Sequence, residues 1–553
     1  MPSVDTASAI LESLDALGVT HVLYCPGSRS APFAYALEAG SFGGDARPIL
    51  DERGAGFAAV GLARTGALPA VVVTSGTAVA ELAPAVLEAS HARLPLLLLT
   101  ADRPGELRGV GASQATDQSG FFGTHVRASV DLEPQEASPS LVGHLARAVA
   151  AACGAPSGAP GPVQVNVAFR DPLTPVRPAC DCGDEAGASF VPRPTRVLAA
   201  PAVPVPWEDV VGPAAAGLIV AGEGASPRAR EWSAASGFPL LAEPASGAWS
   251  AGGVTPFEQT LVASSLGSEV DTVVVTGRPT LSRPIQALLA RPDVRVVVVD
   301  PHAPWVDISG NAAVVVADLE PAREPIRAAQ AEWASRVRDA ARDAGERIES
   351  LLSAGSGRTM LDLARAVAAS TSGPLVLGAS NPVRAFDLAV PTLEGRAVHS
   401  NRGQAGIDGT IATAVGIALG SGYAGEASAS EGERVTAVIG DLTACHDASS
   451  LALASSVRAN LDIVVADDQG GGIFATLEHG RAASPEAYER WFGLAQSVDY
   501  EALAAAYGVA FARAETPAQL AQLLETGEAG PRLVHAPVER AAHLYPALRD
   551  VLS

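Results

Sequence analysis

The chain has 553 residues, a formal net charge of −22, 48% hydrophobic and 18% charged residues. Domains run to ~100–200 residues, so several cores are expected, and the acidic balance disfavours nucleic acid and anionic membrane as partners. All 38 basic residues are arginines; without a lysine there is neither a Schiff-base amine nor a Walker phosphate-loop lysine, which excludes pyridoxal-phosphate chemistry, lysine aldolases and P-loop hydrolases.

In chain order, an amphipathic helix over 7–17 leads to a strand at 21–24 and a tight turn, Pro26-Gly27-Ser28. Short apolar runs bounded by turn residues predict strands at 70–74, 96–100 and 163–167. A proline-rich, aperiodic stretch from about 170 to 210 reads as a linker. Strands follow at 217–221, 272–276 and 294–300, then a charged helical segment over 320–352, then strands at 375–378, 434–439 and 461–466. The turn at 222–226, GEGAS, lacks the full glycine fingerprint of a dinucleotide site and reads as structural. Alternating strands and helices predict an α/β protein of three doubly wound parallel-sheet domains, 1–185, 186–352 and 353–553, with function at the strand C-termini. There is no run of 18 apolar residues and no basic leader at the N-terminus, so a cytoplasmic protein is expected. Cys25, Cys153, Cys180, Cys182 and Cys445 form an odd set that argues against a disulfide framework, and inert thiols suit Cys180-x-Cys182 better than a metal.

The segment richest in chemistry runs from Gly440 to Gly472. One buried strand ends at Gly440-Asp441; after a helix, a second ends at Asp467-Asp468, followed by Gly470, Gly471 and Gly472. This βαβ unit brings Asp441 and Asp468 to neighbouring strand ends. Two carboxylates there suit a hard cation that completes its shell with phosphate oxygens, which small glycine loops and helix-start amides can approach. Two acidic turns in a doubly wound sheet fit the same residues. Glu52, opening a glycine- and alanine-rich helix just after an apolar strand, reads in two ways as well. It is a buried acid of raised pKa suited to proton sharing, or a surface acid stabilised by the helix dipole. His446 lies within the helix after Asp441, which argues against a role as base.

The spacing of Gly440-Asp441 to Asp468 and its glycine turn resembles the metal–diphosphate motif of thiamine-diphosphate enzymes, with Leu442 in place of a third glycine and acids in place of two asparagines. That resemblance implies Mg²⁺ (or Mn²⁺) bound by Asp441, Asp468 and the carbonyl of Gly470. It also implies that Glu52 hydrogen-bonds the cofactor's aminopyrimidine. The loops CPGSRSAPF (25–33), TSGTAVAEL (74–82), LTADRPGELRGVGASQATDQ (99–118), GRPTLSRP (277–284), ASNPVRAFDL (379–388) and SNRGQAGIDGT (400–410) resemble, together and in order, the family of 2-succinyl-5-enolpyruvyl-6-hydroxy-3-cyclohexene-1-carboxylate synthases of menaquinone biosynthesis. Acetolactate synthases and other 2-oxoacid decarboxylases share the acidic elements but not the arginine loops, and a non-catalytic metabolite-binding relative would have lost Glu52 or Asp441.

The family's substrates, 2-oxoglutarate and isochorismate, bring four carboxylates, and arginine's planar fork binds carboxylate bidentately. The resemblance implies substrate contacts from Ser28, Arg29, Arg103, Gln114, Arg283, Ser380, Arg384, Arg402, Ile473 and Phe474, with Glu52, Arg29, Arg384 and Arg402 serving catalysis. Cofactor contacts are implied for Pro26, Gly27, Glu52, Thr77, Ser380, Gln404, Gly440, Asp441, Leu442, Thr443, Asp468, Gly470, Gly471, Gly472 and Ile473, with Ile407 under the bend of the cofactor. Ser113 and Ser282 depart from the residues common in relatives. The implied reaction is decarboxylation of 2-oxoglutarate and 1,4-addition to isochorismate, in a homodimer or homotetramer with sites at the subunit interface.

Overall fold

A computed structural model describes residues 3–175, 193–421, 433–527 and 529–553; Cys180 and Cys182 lie outside them. The chain divides into two compact units, 1–200 with 412–431, and 201–411 with 432–553.

The first unit holds a six-stranded parallel sheet in the order Asp45–Pro48, His21–Tyr24, Pro69–Val73, Leu96–Asp102, Pro162–Ala168, Ala128–Leu132. Its central strands are buried throughout, as both-face coverage by helices demands. Asp45–Pro48 and the first four residues of Ala128–Leu132 alternate between half-buried and exposed, and Ala128–Leu132 was not expected from the sequence. Within this unit the helix Glu52–Arg64 meets the helix Thr410–Gly420 across glycines. A Cβ on Gly61 would lie 2.1 Å from Thr413 O, and one on Gly416 would lie 2.0 Å from Ala58 O. Only glycine permits so close a backbone approach.

The second unit carries two sheets, both parallel. One has the order Ala312–Val316, Arg295–Val299, Thr272–Thr276, Gly217–Ala221, Leu240–Ala242; the other runs Val398–His399, Leu375–Leu377, Val435–Gly440, Leu461–Asp467, Pro531–Pro537, Ala510–Arg513. One apolar core joins them, from Trp207 and Trp232 through Phe386 to Leu548. The charged segment expected over 320–352 becomes helical only from Ala328, running to Ser353. Its stretch before that holds Pro321 and Pro325, each without the N–H an interior turn needs.

Candidate active site

In the first unit, Glu52 is the first residue of its helix. Asp51 caps that helix, accepting from the N–H groups of Arg53 (3.0 Å) and Gly54 (3.3 Å). The cap satisfies orphan amides and leaves the Glu52 carboxylate in the first turn, where the helix dipole favours a negative charge. Two expectations are corrected. The strand before Glu52 is the polar edge strand Asp45–Pro48, not an apolar one, and Glu52 is half-buried rather than enclosed by apolar neighbours. Leu50, two residues earlier, is 85% exposed.

The turn Pro26-Gly27-Ser28 follows the strand His21–Tyr24, and a Cβ on Gly27 would lie 2.3 Å from Thr74 Cβ, so the turn closes against the end of the neighbouring strand. Arg29 donates to Phe169 O (2.8 Å); burial lowers its pKa, and the nearby Arg103 guanidinium adds to the effect. Two cations held near one another in an acidic chain make a local well for anions. Ser28, Thr77 and Gln114 are exposed, Gln114 with φ of 55°.

In the second unit the register pairs Gly440 with Ala466, so Asp467 rather than Asp468 stands level with Asp441. Asp467 is held by His535 Nε2 (2.9 Å), which pulls its pKa down. Asp441 is 3% exposed, accepting from the N–H of Gly470 (2.6 Å) and of Leu442 (2.8 Å). Burial, then the neighbouring charge of Asp467, push Asp441 up to about 6; burial, then the Asp441 charge, push Asp468 up to about 7. Crowded carboxylates of this kind resist ionising until a cation joins them. A Cβ on Gly440 would meet open space, whereas one on Gly472 would lie 1.9 Å from Asp468 Oδ2. The raised pair suits a divalent cation, and the space at Gly440, next to Asp441, is open. Among the described residues no group of three or more His, Cys, Asp or Glu side chains could hold a metal by itself, so such a cation would need ligands beyond the protein's acids.

The glycine turn is braced from outside: Gly471 donates to Gly493 O (2.6 Å), and Tyr488 Oη donates to Gly471 O (2.9 Å). Ile473 is half-buried, while Phe474 is exposed at its tip and packs on Phe492, ring centroids 5.8 Å apart. Leu442 is half-buried and Thr443 buried on the short helix after Gly440; Gln404 is exposed and Ile407 half-buried in their loop.

Arg384 and Arg402 come together. Arg384 donates to Ser380 O (2.6 Å) and Ala379 O (3.1 Å), and Arg402 donates to Ala379 O (3.3 Å) and Thr280 Oγ1 (3.1 Å). Burial, with the Arg402 charge adding to it, lowers Arg384 to about 10. Among the described residues, Arg402 Nε, Asn381 Oδ1 and Ser400 Oγ are buried without a hydrogen-bond partner, on the segments that carry these two arginines. Arg283 is not part of this group: its side chain is 65% exposed and pairs with Glu478 (2.7 Å).

The sequence reading missed a buried acidic cluster behind the arginines. Glu243, Glu258 and Asp387 are each at most 3% exposed, and their pKa values are raised, first by burial. Glu243 accepts from Leu281 N–H (2.6 Å), Asp387 from Gln259, and neither Glu258 oxygen has a partner among the described residues. Asp387 lies one turn after Arg384 on the helix Asn381–Ala389, the spacing at which opposite charges interact, and that signal was readable. Glu258, the first residue of the short helix Glu258–Ala263, gave none.

Among the described residues no helix is long and apolar enough to cross a membrane. Residues 4–121 match the thiamine pyrophosphate enzyme N-terminal TPP binding domain, and residues 384–536 the C-terminal TPP binding domain. The chain is 42% identical to a 2-succinyl-5-enolpyruvyl-6-hydroxy-3-cyclohexene-1-carboxylate synthase of Kineococcus radiotolerans, over 96% of this chain and 95% of that one. It is 39% identical to synthases of the same name from Renibacterium salmoninarum (98% and 95% covered) and a Nocardioides species (97% and 95%). With both thiamine pyrophosphate enzyme domains matched and identity of this order along nearly its whole length, the chain belongs to the 2-succinyl-5-enolpyruvyl-6-hydroxy-3-cyclohexene-1-carboxylate synthase family of thiamine-diphosphate-dependent enzymes.

Proposed function

We propose that the protein decarboxylates 2-oxoglutarate and joins the remaining four-carbon unit to isochorismate by 1,4-addition, in menaquinone biosynthesis in the cytoplasm. The observation that carries this reading is the pairing of Arg384 with Arg402 on segments whose buried polar atoms Arg402 Nε, Asn381 Oδ1 and Ser400 Oγ lack partners among the described residues. Such atoms favour a bound polar ligand, because an unpaired buried group carries its full desolvation cost. Charged forks beside them favour carboxylate.

Thiamine diphosphate supplies the electron sink that lets a 2-oxoacid lose CO₂ and its acyl carbon act as a nucleophile. In the proposal Asp441 and Asp468, with the Gly470 carbonyl, hold Mg²⁺ or Mn²⁺ against the diphosphate, and the glycines 470–472 let it approach. Gly440, Leu442, Thr443, Ile473, Pro26, Gly27, Thr77, Ser380 and Gln404 would hold the cofactor, Ile407 would pack against it, and the Glu52 carboxyl would hold a proton shared with its pyrimidine. Arg384 and Arg402 orient one dicarboxylate; Arg29, Arg103, Ser28 and Gln114 serve the other. CO₂ leaves, one carbon–carbon bond forms and one proton is taken up. Two halves contributed by different subunits fit a homodimer or homotetramer.

The test supplies thiamine diphosphate, Mg²⁺ and 2-oxoglutarate and follows CO₂ with and without isochorismate. Release that accelerates on adding isochorismate supports the proposal. Release equally fast without it would replace it with a simple decarboxylase.

A further inference from the structure

Beneath the loop that carries Arg103 and Gln114, the first unit buries five polar side chains. Thr100, Asp102, Gln118, Gln164 and Asn166 are each at most 1% exposed. Buried polar groups are tolerated only when bonded, and here the accounts close. Asn166 uses its whole amide: Oδ1 accepts from Thr100 Oγ1 (2.9 Å) and Gln118 Nε2 (3.1 Å), and Nδ2 donates to Asp102 Oδ2 (2.9 Å) and Asp131 Oδ1 (2.8 Å). Gln164 Nε2 donates to Thr100 Oγ1 (3.2 Å) and to the carbonyl of Gln118 (2.7 Å).

Gln118 extends this network to the turn above the strands. Its Oε1 accepts the N–H of Gly76 (3.0 Å), while Nε2 also donates to Ala101 O (3.3 Å). The turn it grips is the one to which the loop is tied. Arg103 Nη1 donates to Ser75 Oγ and to Gln114 O (2.7 Å), and Gln114 Nε2 donates to Ser75 O (2.9 Å). Gly76 sits at φ 87° with no room to spare, since a Cβ there would lie 2.9 Å from Gln114 Cγ. From the other side, Asp102 accepts the Arg103 N–H (2.7 Å) and pairs with Arg108 (3.0 Å), whose Nε donates to Arg103 O (2.9 Å).

We propose that Gln118 is a positioning residue for the reaction: it holds the Gly76 amide from beneath and thereby fixes the turn to which the loop carrying Arg103 and Gln114 is tied. A network serving the sheet alone would close on sheet partners, yet the Gln118 acceptor is given to an amide of the turn. Buried Gln118 is out of reach of any ligand, so its effect passes through the two exposed or half-exposed side chains above it. A guanidinium set in place beforehand spares the ordering entropy that a loose loop would lose on each binding event. The inference rests on the reading that Arg103 and Gln114 meet substrate.

The experiment compares steady-state kinetics of the holoenzyme for Gln118→Met, Gln118→Glu and Arg103→Ala. Gln118→Met should raise KM for one substrate about tenfold while kcat stays within about threefold. Gln118→Glu keeps an acceptor for Gly76 but turns its second oxygen onto Asn166 Oδ1 and Ala101 O, so only its protonated form should recover part of that loss. Unchanged KM in Gln118→Met, or a fall in kcat alone alongside a lowered melting temperature, would make Gln118 merely structural and overturn the proposal. If Arg103→Ala leaves KM untouched, the substrate reading has failed instead. Hydrogen exchange on the unmodified protein decides the matter should the variants not fold. The Gly76 amide should exchange as slowly as those of the strand Leu96–Asp102, and rapid exchange there would overturn the proposal.

Discussion

Gly416→Ala tests whether the helix that begins at Glu52 is seated where the structure has it. The added Cβ would lie 2.0 Å from Ala58 O, against the ~3.3 Å that a carbon–oxygen contact needs. The helices must therefore part by roughly 1 Å, because both partners are backbone and no rotamer relieves the clash. Overpacking costs about 1–3 kcal/mol, and a backbone–backbone clash belongs at the upper end. Alanine's better helix propensity returns about 1 kcal/mol, leaving a net loss of about 2 kcal/mol. For a unit of this size that lowers the melting midpoint by roughly 4–8 °C, read by calorimetry of the apoprotein. Gly143→Ala is the control: it lies in the helix Pro139–Ala152, where the nearest atom to a new Cβ is Arg147 Nη1 at 3.5 Å, so it should be neutral or slightly stabilising. An unchanged or raised midpoint in Gly416→Ala would refute the close helix crossing.

Three further outcomes are expected. Arg384→Ala and Arg402→Ala should each weaken apparent substrate affinity by ~2–4 kcal/mol if each holds a desolvated carboxylate, whereas Arg283→Ala, which removes an exposed ion pair, should change it by less than ~1 kcal/mol. Asp441→Ala, or chelation of divalent metal, should abolish calorimetric binding of thiamine diphosphate; undiminished affinity would refute the metal assignment. Glu243, Glu258 and Asp387 have folded pKa values above their unfolded ones. Their contribution to stability is thus complete below the ordinary carboxylate range and lost as pH rises toward the folded values. Urea midpoints should fall as pH rises from that range, and Glu258→Gln should flatten the fall; an unaltered slope would show that the cluster ionises freely.

Much of this was legible in the sequence, and particular residues show where legibility ended. The strands His21–Tyr24, Gly217–Ala221 and Thr272–Thr276 have the bounds their apolar runs announced, because buried parallel strands write their burial as continuous hydrophobicity. Edge strands do not: Ala128–Leu132 and Ala510–Arg513 carry too little apolar pattern to register. Pro531–Pro537 is buried in its interior but opens and closes on proline, a residue that argues against a strand. Asp441 and Asp468 were visible as strand-end acids, yet the level pairing of Asp441 with Asp467, and the capture of Asp467 by His535, depend on a register and a strand some 70 residues away. Arg283 resembled its fellows in composition but faces solvent, since sequence carries no record of which side of a loop a side chain takes.

The most direct measurement is mass analysis of the product formed from 2-oxoglutarate and isochorismate, by the wild type and by Glu52→Gln, with thiamine diphosphate and Mg²⁺ present. The expected result is a single adduct of the two substrates less CO₂ from the wild type and none from Glu52→Gln. Succinic semialdehyde with isochorismate left intact, or full turnover by Glu52→Gln, would contradict the proposed reaction or the role of its glutamate.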